Sequence, residues 1–300
     1  MCMSNPFFSV ITPAYNRAYI LPETISSVLR QTFTDWEMIV VDDGSKDNTH
    51  EVVNKITDSR VRYIYQENAE RSAARNNGIS NALGKYICFL DSDDWYEPEH
   101  LQILYDNISD KYFPEAMFFT NCYYFQHNKK IIPVFPVFTD PKNYLLLNPV
   151  IPARVCIHSD ILKKYRFRED IVIVEDQVLW VTIAFKYPVF YIPVLTVVYH
   201  LHEDNSVNIK NNCYKPRLDG LRLLFKQPET GSFIPKVLKR NIIGDCYYGI
   251  SKHYFYKKNF VKMMLNLFYS FLYKPFSAQN KAKLFMIYLF IFKPNAKTLI

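Results

Sequence analysis

Apolar and polar positions along the first 90 residues fall in blocks. Residues 7–12 (Phe-Phe-Ser-Val-Ile-Thr) form a β-rich apolar run that Pro13-Ala14-Tyr15-Asn16 breaks. Helical spacing follows over 20–31, with Ile20, Ile25, Val28 and Leu29 on one side. A second apolar run, 37–41, ends at Asp42-Asp43-Gly44-Ser45, and a helix is predicted over 48–57 with Asp47 or Thr49 as its cap. Residues 61–65 and 86–90 predict two more strands, separated by a helix over 70–83. Strands alternating with helical stretches of this length imply βαβ units and a mostly parallel α/β sheet flanked by helices. Continuous apolar strands fit a sheet covered on both faces. In such open sheets ligands bind outside the carboxyl ends of the strands. Thr12-Pro13-Ala14-Tyr15-Asn16, Asp42-Asp43-Gly44-Ser45 and Asp91-Ser92-Asp93-Asp94 all fall there.

Beyond residue 110 the pattern changes twice. Runs 113–125 and 188–199 read as strands or strand pairs, and 159–165 and 176–185 as helices. From about 214 the chain becomes basic, aromatic and helical. The expected organisation is an α/β domain over 1–212 and a helical extension over 213–300.

Composition narrows the function classes. Seven glycines occur in 300 residues, with no GxGxxG and no GxxxxGK, which argues against a dinucleotide fold and a P-loop. The six cysteines show no CxxC spacing, so neither a zinc site nor a disulfide framework is indicated. Met1 to Phe8 carries no basic, apolar leader, and with free thiols this points to the cytoplasm. The net charge of +7 is unevenly spread. Residues 1–210 hold 20 Lys and Arg against 26 Asp and Glu; residues 211–300 hold 16 against only Asp219, Glu229 and Asp245, a surplus of 13. A basic tail implies an anionic partner or a solvated face.

No apolar run reaches the ~18–20 residues of a spanning helix. The longest, 284–292, is flanked by Lys281, Lys283 and Lys293. Residues 260–273 are nearly all apolar, with Lys262, Asn266, Ser270 and Lys274 as a thin polar stripe. Two readings stand. The helices of 255–293 lie in a membrane interface, peripheral at the inner face, or they pack on each other and on the α/β domain. No nucleic-acid module is present, so no nucleic-acid partner is expected.

Several residues could carry chemistry. Asp91, Asp93 and Asp94 are three carboxylates in four residues, which a divalent ion (Mn²⁺ or Mg²⁺) and substrate phosphate would neutralise. The alternative is a helix cap, with Trp95-Tyr96-Glu97-Pro98-Glu99 leading into a helix. Asp42-Asp43 is either ordinary turn chemistry or an acceptor for a base ring N–H. Arg71 and Arg75, one turn apart, suit a phosphate, or a solvated face paired with Glu67 or Glu70. Glu175-Asp176 either favours a helix dipole or supplies a general base. His200 and His202 share one side of a strand, a modest metal signal without zinc spacing.

The order of these motifs resembles family 2 glycosyltransferases. The resemblance rests on Phe8-Ser9-Val10-Ile11-Thr12-Pro13-Ala14-Tyr15-Asn16, Ser26-Ser27-Val28-Leu29-Arg30-Gln31-Thr32-Phe33 and Val40-Val41-Asp42-Asp43-Gly44-Ser45. Ala73-Ala74-Arg75-Asn76-Asn77-Gly78-Ile79 and Gly84-Lys85-Tyr86-Ile87-Cys88-Phe89-Leu90-Asp91-Ser92-Asp93-Asp94 complete it. It is close over 7–105 and weaker through Glu175-Asp176 and residues 199–206. It implies the GT-A fold, with 1–110 as nucleotide-binding half and 111–212 as acceptor-binding half. It also implies inverting transfer from a nucleoside-diphosphate sugar, a UDP-sugar by expectation, to a glycan or lipid-linked acceptor in surface polysaccharide biosynthesis. Thr12, Tyr15, Asn16, Asp42 and Asp43 would hold the nucleoside, and Arg71 or Arg75 the diphosphate. Asp91, Ser92 and Asp93 match the DxD motif. Asp93 and His202 would be the metal ligands with Asp91 in support, and Asp176 the catalytic base. Relatives carry a Gly-Gly-Phe stretch where this chain has Lys163-Lys164-Tyr165-Arg166-Phe167, a departure on the acceptor side. The competing classes are a metal-dependent nucleotidyltransferase and a non-catalytic membrane-associated protein with a degenerate site.

Overall fold

The computed structural model describes residues 5–202 and 213–292. Residues 1–4, Cys2 included, the run Glu203-Asp204-Asn205-Ser206, the boundary at 212 and Lys293 lie outside the described residues. The chain divides into two compact units, Met1–His202 and Glu203–Ile300.

The first unit begins β1 (Phe8–Ala14), α1 (Leu21–Leu29), β2 (Trp36–Asp43), α2 (Thr49–Asn54), β3 (Val61–Gln66), α3 (Glu70–Asn81) and β4 (Tyr86–Phe89). It continues β5 (Trp95–Tyr96), α4 (His100–Ser109), β6 (Met117–Gln126), β7 (Lys129–Ile131) and α5 (Pro141–Leu147). It closes with β8 (Val155–His158), α6 (Ser159–Lys164), α7 (Glu175–Ala184) and β9 (Val189–His200). One sheet runs β3-β2-β1-β4-β8-β6-β9-β5, with β7 on β6. The ladders among β3, β2, β1 and β4 are parallel. Beyond β4 the sheet is mixed: β8 is antiparallel to β4 and β6, while β6 and β9 run parallel. The mostly parallel sheet expected from the sequence thus holds for its first half.

Every residue of β2 is buried, as continuous apolar strands covered on both faces require. Helix α1 presents Leu21, Ile25 and Val28 to the core, and Phe8, Val10, Met38 and Val40 meet them from the sheet. Pro13 does not end β1 as expected: it pairs with Val41 of β2. The β4 ladder has already stopped at Ile11, whose carbonyl accepts from Leu90 N, so no ladder bond is lost at the proline. Residues 95–99 are not a helix opening either. Trp95 and Tyr96 pair with β9, and α4 starts only at His100.

Gly78 lets α3 lie close on the sheet. A Cβ there would stand 2.4 Å from Ile11 Cγ2. Gly78→Ala is expected to destabilise by about 1–3 kcal/mol through overpacking, despite alanine's better helix propensity. Equilibrium urea unfolding reads this directly, and a rise in stability would show that the contact is soft.

The second unit contains α8 (Tyr214–Lys226), α9 (Pro228–Gly231), α10 (Lys236–Tyr256), α11 (Phe260–Tyr273) and α12 (Asn280–Phe292). No described helix is long and apolar enough to cross a membrane. The expected polar stripe of α11 does not face solvent throughout. Ser270 is fully buried and donates to Gly244 O at 2.7 Å, and Lys274 pairs with Asp245 at 2.8 Å. Lys283, expected at a headgroup, is fully buried beside the rings of Tyr248 and Phe271.

Candidate active site

Three strand-end loops meet where β1, β2 and β4 finish. Asn16 takes a left-handed conformation (φ 53°), which its short polar side chain tolerates. Its amide donates to Ser45 Oγ at 2.8 Å, and its Oδ1 accepts from Lys46 N at 2.8 Å. Ala18 N and Arg17 N bond Asp47 Oδ2 and Thr49 Oγ1. The loop after β1 is thereby clipped to the loop after β2. Tyr15 stands out of this clip and is exposed, whereas Thr12 has no exposed surface.

Asp42 and Asp43 are both buried and hydrogen-bonded. Asp42 accepts from Ser45 N at 2.9 Å and Tyr63 Oη at 2.7 Å. Asp43 Oδ1 accepts from Gln66 Nε2 at 2.7 Å and Ala69 N at 2.9 Å. Gly44 follows at φ 78°, where a Cβ would stand 2.8 Å from Asn68 N. The turn therefore holds two carboxylates with their shape set by α3's entry and β3.

Arg75 organises the acidic centre. Its guanidinium donates to Asp91 Oδ1 at 2.6 Å and to Glu175 Oε1 at 2.9 Å, across 16 and 100 residues of chain. It is almost fully buried and lies 5.2 Å from the ring of Phe167. Burial pulls its pKa down, but the charges of Asp91 and Glu175 more than offset this and hold it protonated. Arg71, partly exposed on the same face, reaches Glu175 at 4.0 Å. Replacing Arg75 with Leu would leave the buried Glu175 with only the distant Arg71, and Asp91 beside it without its cation. A loss of about 3–5 kcal/mol is expected in chemical denaturation. Arg71→Leu, at a partly exposed pair, is expected to cost at most about 1 kcal/mol. Equal effects of the two changes would contradict this assignment.

The carboxylates after β4 separate by environment. Ser92 is nearly buried and its carbonyl accepts from Thr24 Oγ1 at 2.9 Å. Asp93 Oδ2 meets His202 Nε2 at 3.0 Å and Arg17 Nη2 at 3.6 Å. Asp94 has no exposed surface and accepts from His200 N at 2.9 Å, tying this turn to the end of β9. Burial raises the Asp94 carboxyl well above its usual range, and Asp93 and Asp91 add to it. The helix-cap alternative for Asp94 therefore gives way to a cross-strand anchor. The ring of His200 lies 5.7 Å from that of Trp95, tilted against it, and 5.5 Å from the ring of His202.

Glu175 and Asp176 open α7. Val174 before them is left-handed (φ 69°), a strained state for a β-branched residue. The helix behind is firmly held: Gln177 Nε2 donates to the carbonyls of Leu145 and Leu146, and Trp180 Nε1 to Val150 O. Asp176 is partly exposed and accepts from Gln177 N at 2.6 Å. Burial first, then the charge of Glu175, pushes its carboxyl up to about 7 against the pull of Arg75.

The bonds link Asp91 through Arg75 to Glu175, neighbour of Asp176, and Asp93 to His202. Residue pattern alone does not mark Arg17, Tyr63 or Gln66 as part of this centre. Arg17 directly follows the Tyr15-Asn16 turn, and a cation there was the available signal. Tyr63 and Gln66 read as ordinary strand positions.

Among the described residues no three His, Cys, Asp or Glu side chains group closely enough to hold a metal ion by themselves. Asp91 is engaged by Arg75, which leaves Asp93 and His202 as the close pair. One carboxylate and one imidazole suit a Mn²⁺ or Mg²⁺ ion that takes its other ligands from phosphate and water.

A match to the family described as Glycosyl transferase family 2 covers residues 9–155. Residues 9–155 belong to glycosyl transferase family 2. This family 2 region spans β1 to the start of β8 and includes the three strand-end loops, but not Asp176 or His202. The UDP-Glc:alpha-D-GlcNAc-diphosphoundecaprenol beta-1,3-glucosyltransferase WfgD of Escherichia coli is 40% identical over 116 residues, 37% of this chain and 46% of that protein. The matched segments span less than half the length of the curated relatives. Residues 1–349 of S. aureus TarS, solved with UDP-GlcNAc, superpose with a TM-score of 0.64 at 17% identity over 88% of this chain and 79% of that one. The mannosyltransferase PcManGT of Pyrobaculum calidifontis, solved with GDP-Man and Mn²⁺, superposes at 0.57 with 18% identity, over 97% and 82%. The fold is GT-A.

Proposed function

We propose that the chain is an inverting glycosyltransferase that moves a sugar from a UDP-sugar to a hydroxyl of a glycan or lipid-linked acceptor in surface polysaccharide assembly. The observation that carries this reading is the Arg75 bridge between Asp91 and Glu175. It sets Asp176 beside the strand-end carboxylates, on a segment separate from them, as attack from the opposite face of a sugar requires. The names of the relatives support the donor and acceptor classes: WfgD uses UDP-Glc and a diphosphoundecaprenol-linked sugar, and TarS is solved with UDP-GlcNAc.

The roles follow from environment. Tyr15 and the turn at Asp42 and Asp43 receive the base and ribose. Asp93 and His202 would hold a Mn²⁺ or Mg²⁺ ion, which when bound neutralises the charge that develops on the departing diphosphate. Arg71, the more exposed arginine, faces the diphosphate, while Arg75 stays with the carboxylates. Asp176 accepts the proton of the acceptor hydroxyl as that oxygen attacks. A carboxyl raised to about 7 is a stronger base than an ordinary one, and about half of it is ionised at neutral pH.

A pH profile tests the base. Asp176 must be unprotonated to act, so kcat/KM is expected to rise with pH and level off above an acid limb near 7. A limb in the ordinary carboxylate range, near pH 4, would remove Asp176 from this role. Proton NMR of the product tests the stereochemistry: an α-linked donor is expected to give a β-linked sugar.

A further inference from the structure

Helix α11 is built the wrong way round for a water-facing helix. Met263, Leu267 and Ser270 are buried on one side, with Leu267 and Met263 packed against Tyr248 of α10 and Met286 of α12. At helical spacing, Val261, Leu265, Phe268 and Leu272 fall on the opposite side. All four are apolar, and they are 75%, 51%, 62% and 55% exposed. Two residues of the polar stripe, Ser270 and Lys274, are turned inward.

Helix α12 repeats the arrangement. Lys283, Met286 and Leu289 are buried, and Leu284, Tyr288 and Ile291 face outward. Phe276, between the two helices, is 95% exposed. Soluble proteins seldom leave apolar surface of this extent uncovered without a partner.

Charge identifies the partner. No Asp or Glu occurs after Asp245, while Lys257, Lys258, Lys262 and Lys281 are all exposed around these helices. An apolar face rimmed by cations and free of carboxylates matches an anionic lipid surface, where side chains enter the acyl boundary and lysines meet the headgroups. A protein partner would need acidic groups to answer the lysines; a second copy of this unit offers the same positive charge and would be repelled.

We infer that α11 and α12 dock the chain on an anionic lipid surface through Val261, Leu265, Phe268 and Leu272. This rests on the helical unit alone and stands or falls independently of the glycosyltransferase reading.

The test is co-sedimentation of the full chain with vesicles of one part phosphatidylglycerol to two parts phosphatidylcholine, against phosphatidylcholine alone. Binding to the anionic vesicles is expected, weakened but retained between ~0.1 M and ~1 M salt, because burial of apolar side chains is not screened. Phe268→Ser with Leu272→Ser is expected to lower the vesicle partition at least about tenfold, with an unchanged helical circular dichroism spectrum. Three outcomes would overturn the inference. One is no binding to either vesicle. Another is binding that high salt abolishes and the double serine variant leaves intact. The third is a dimer in sedimentation equilibrium that the same variant dissociates.

Discussion

Asp176→Asn is expected to lower kcat by roughly 10²–10⁴-fold, the contribution of a positioned general base, with little change in thermal stability. Asparagine keeps the volume and the acceptor oxygen that Gln177 N meets at 2.6 Å. It removes a partly buried charge that Glu175 already repels, so folding should not suffer. The loss should appear in kcat more than in KM, because the missing interaction exists only as the acceptor proton moves. Retained turnover in the folded variant would take the base role away from Asp176. A matching loss from Glu175→Gln would not, since that side chain holds Arg75 and its removal disturbs the whole centre.

Asp93→Ala carries the second large expectation. Asp93 is the carboxylate that meets His202, and Arg17 approaches the same oxygen. Its loss should lower turnover by about 10²–10³-fold, the scale of a removed electrostatic stabiliser of the leaving group. The Mn²⁺ concentration needed for half-maximal rate should also rise. His202→Ala should produce a smaller shift of the same kind. If Asp93→Ala changes turnover without altering the Mn²⁺ titration, the carboxylate serves some other purpose, such as neutralising Arg17.

Much of this centre was legible from residue order. Continuous apolar runs become the buried strands β2 and β4, and the polar stretches after them become the strand-end loops. Local pattern could not show that Asp94 would point inward to His200 N, because that bond joins positions 106 residues apart. Nor could it divide the work between Arg71 and Arg75, which share a helix face. Only the packing of Phe167 and Glu175 against Arg75 buries one and leaves the other partly exposed. The mixed half of the sheet was hidden for a related reason. A strand's direction depends on crossovers such as β6 to β9, not on its own residues. In the helical unit the polar stripe of α11 was visible, but the side it would face was not. Lys274 turns inward because Asp245 on α10 is there to meet it.

The glycosyltransferase reading is tested most directly by product release from a panel of sugar nucleotides, with Mn²⁺ or with EDTA. The account predicts that nucleoside diphosphate is released from a UDP-sugar, that Mn²⁺ is required, and that Asp93→Ala and Asp176→Asn both suppress it. Metal-independent release, or formation of pyrophosphate from a nucleoside triphosphate and a sugar phosphate, would contradict it.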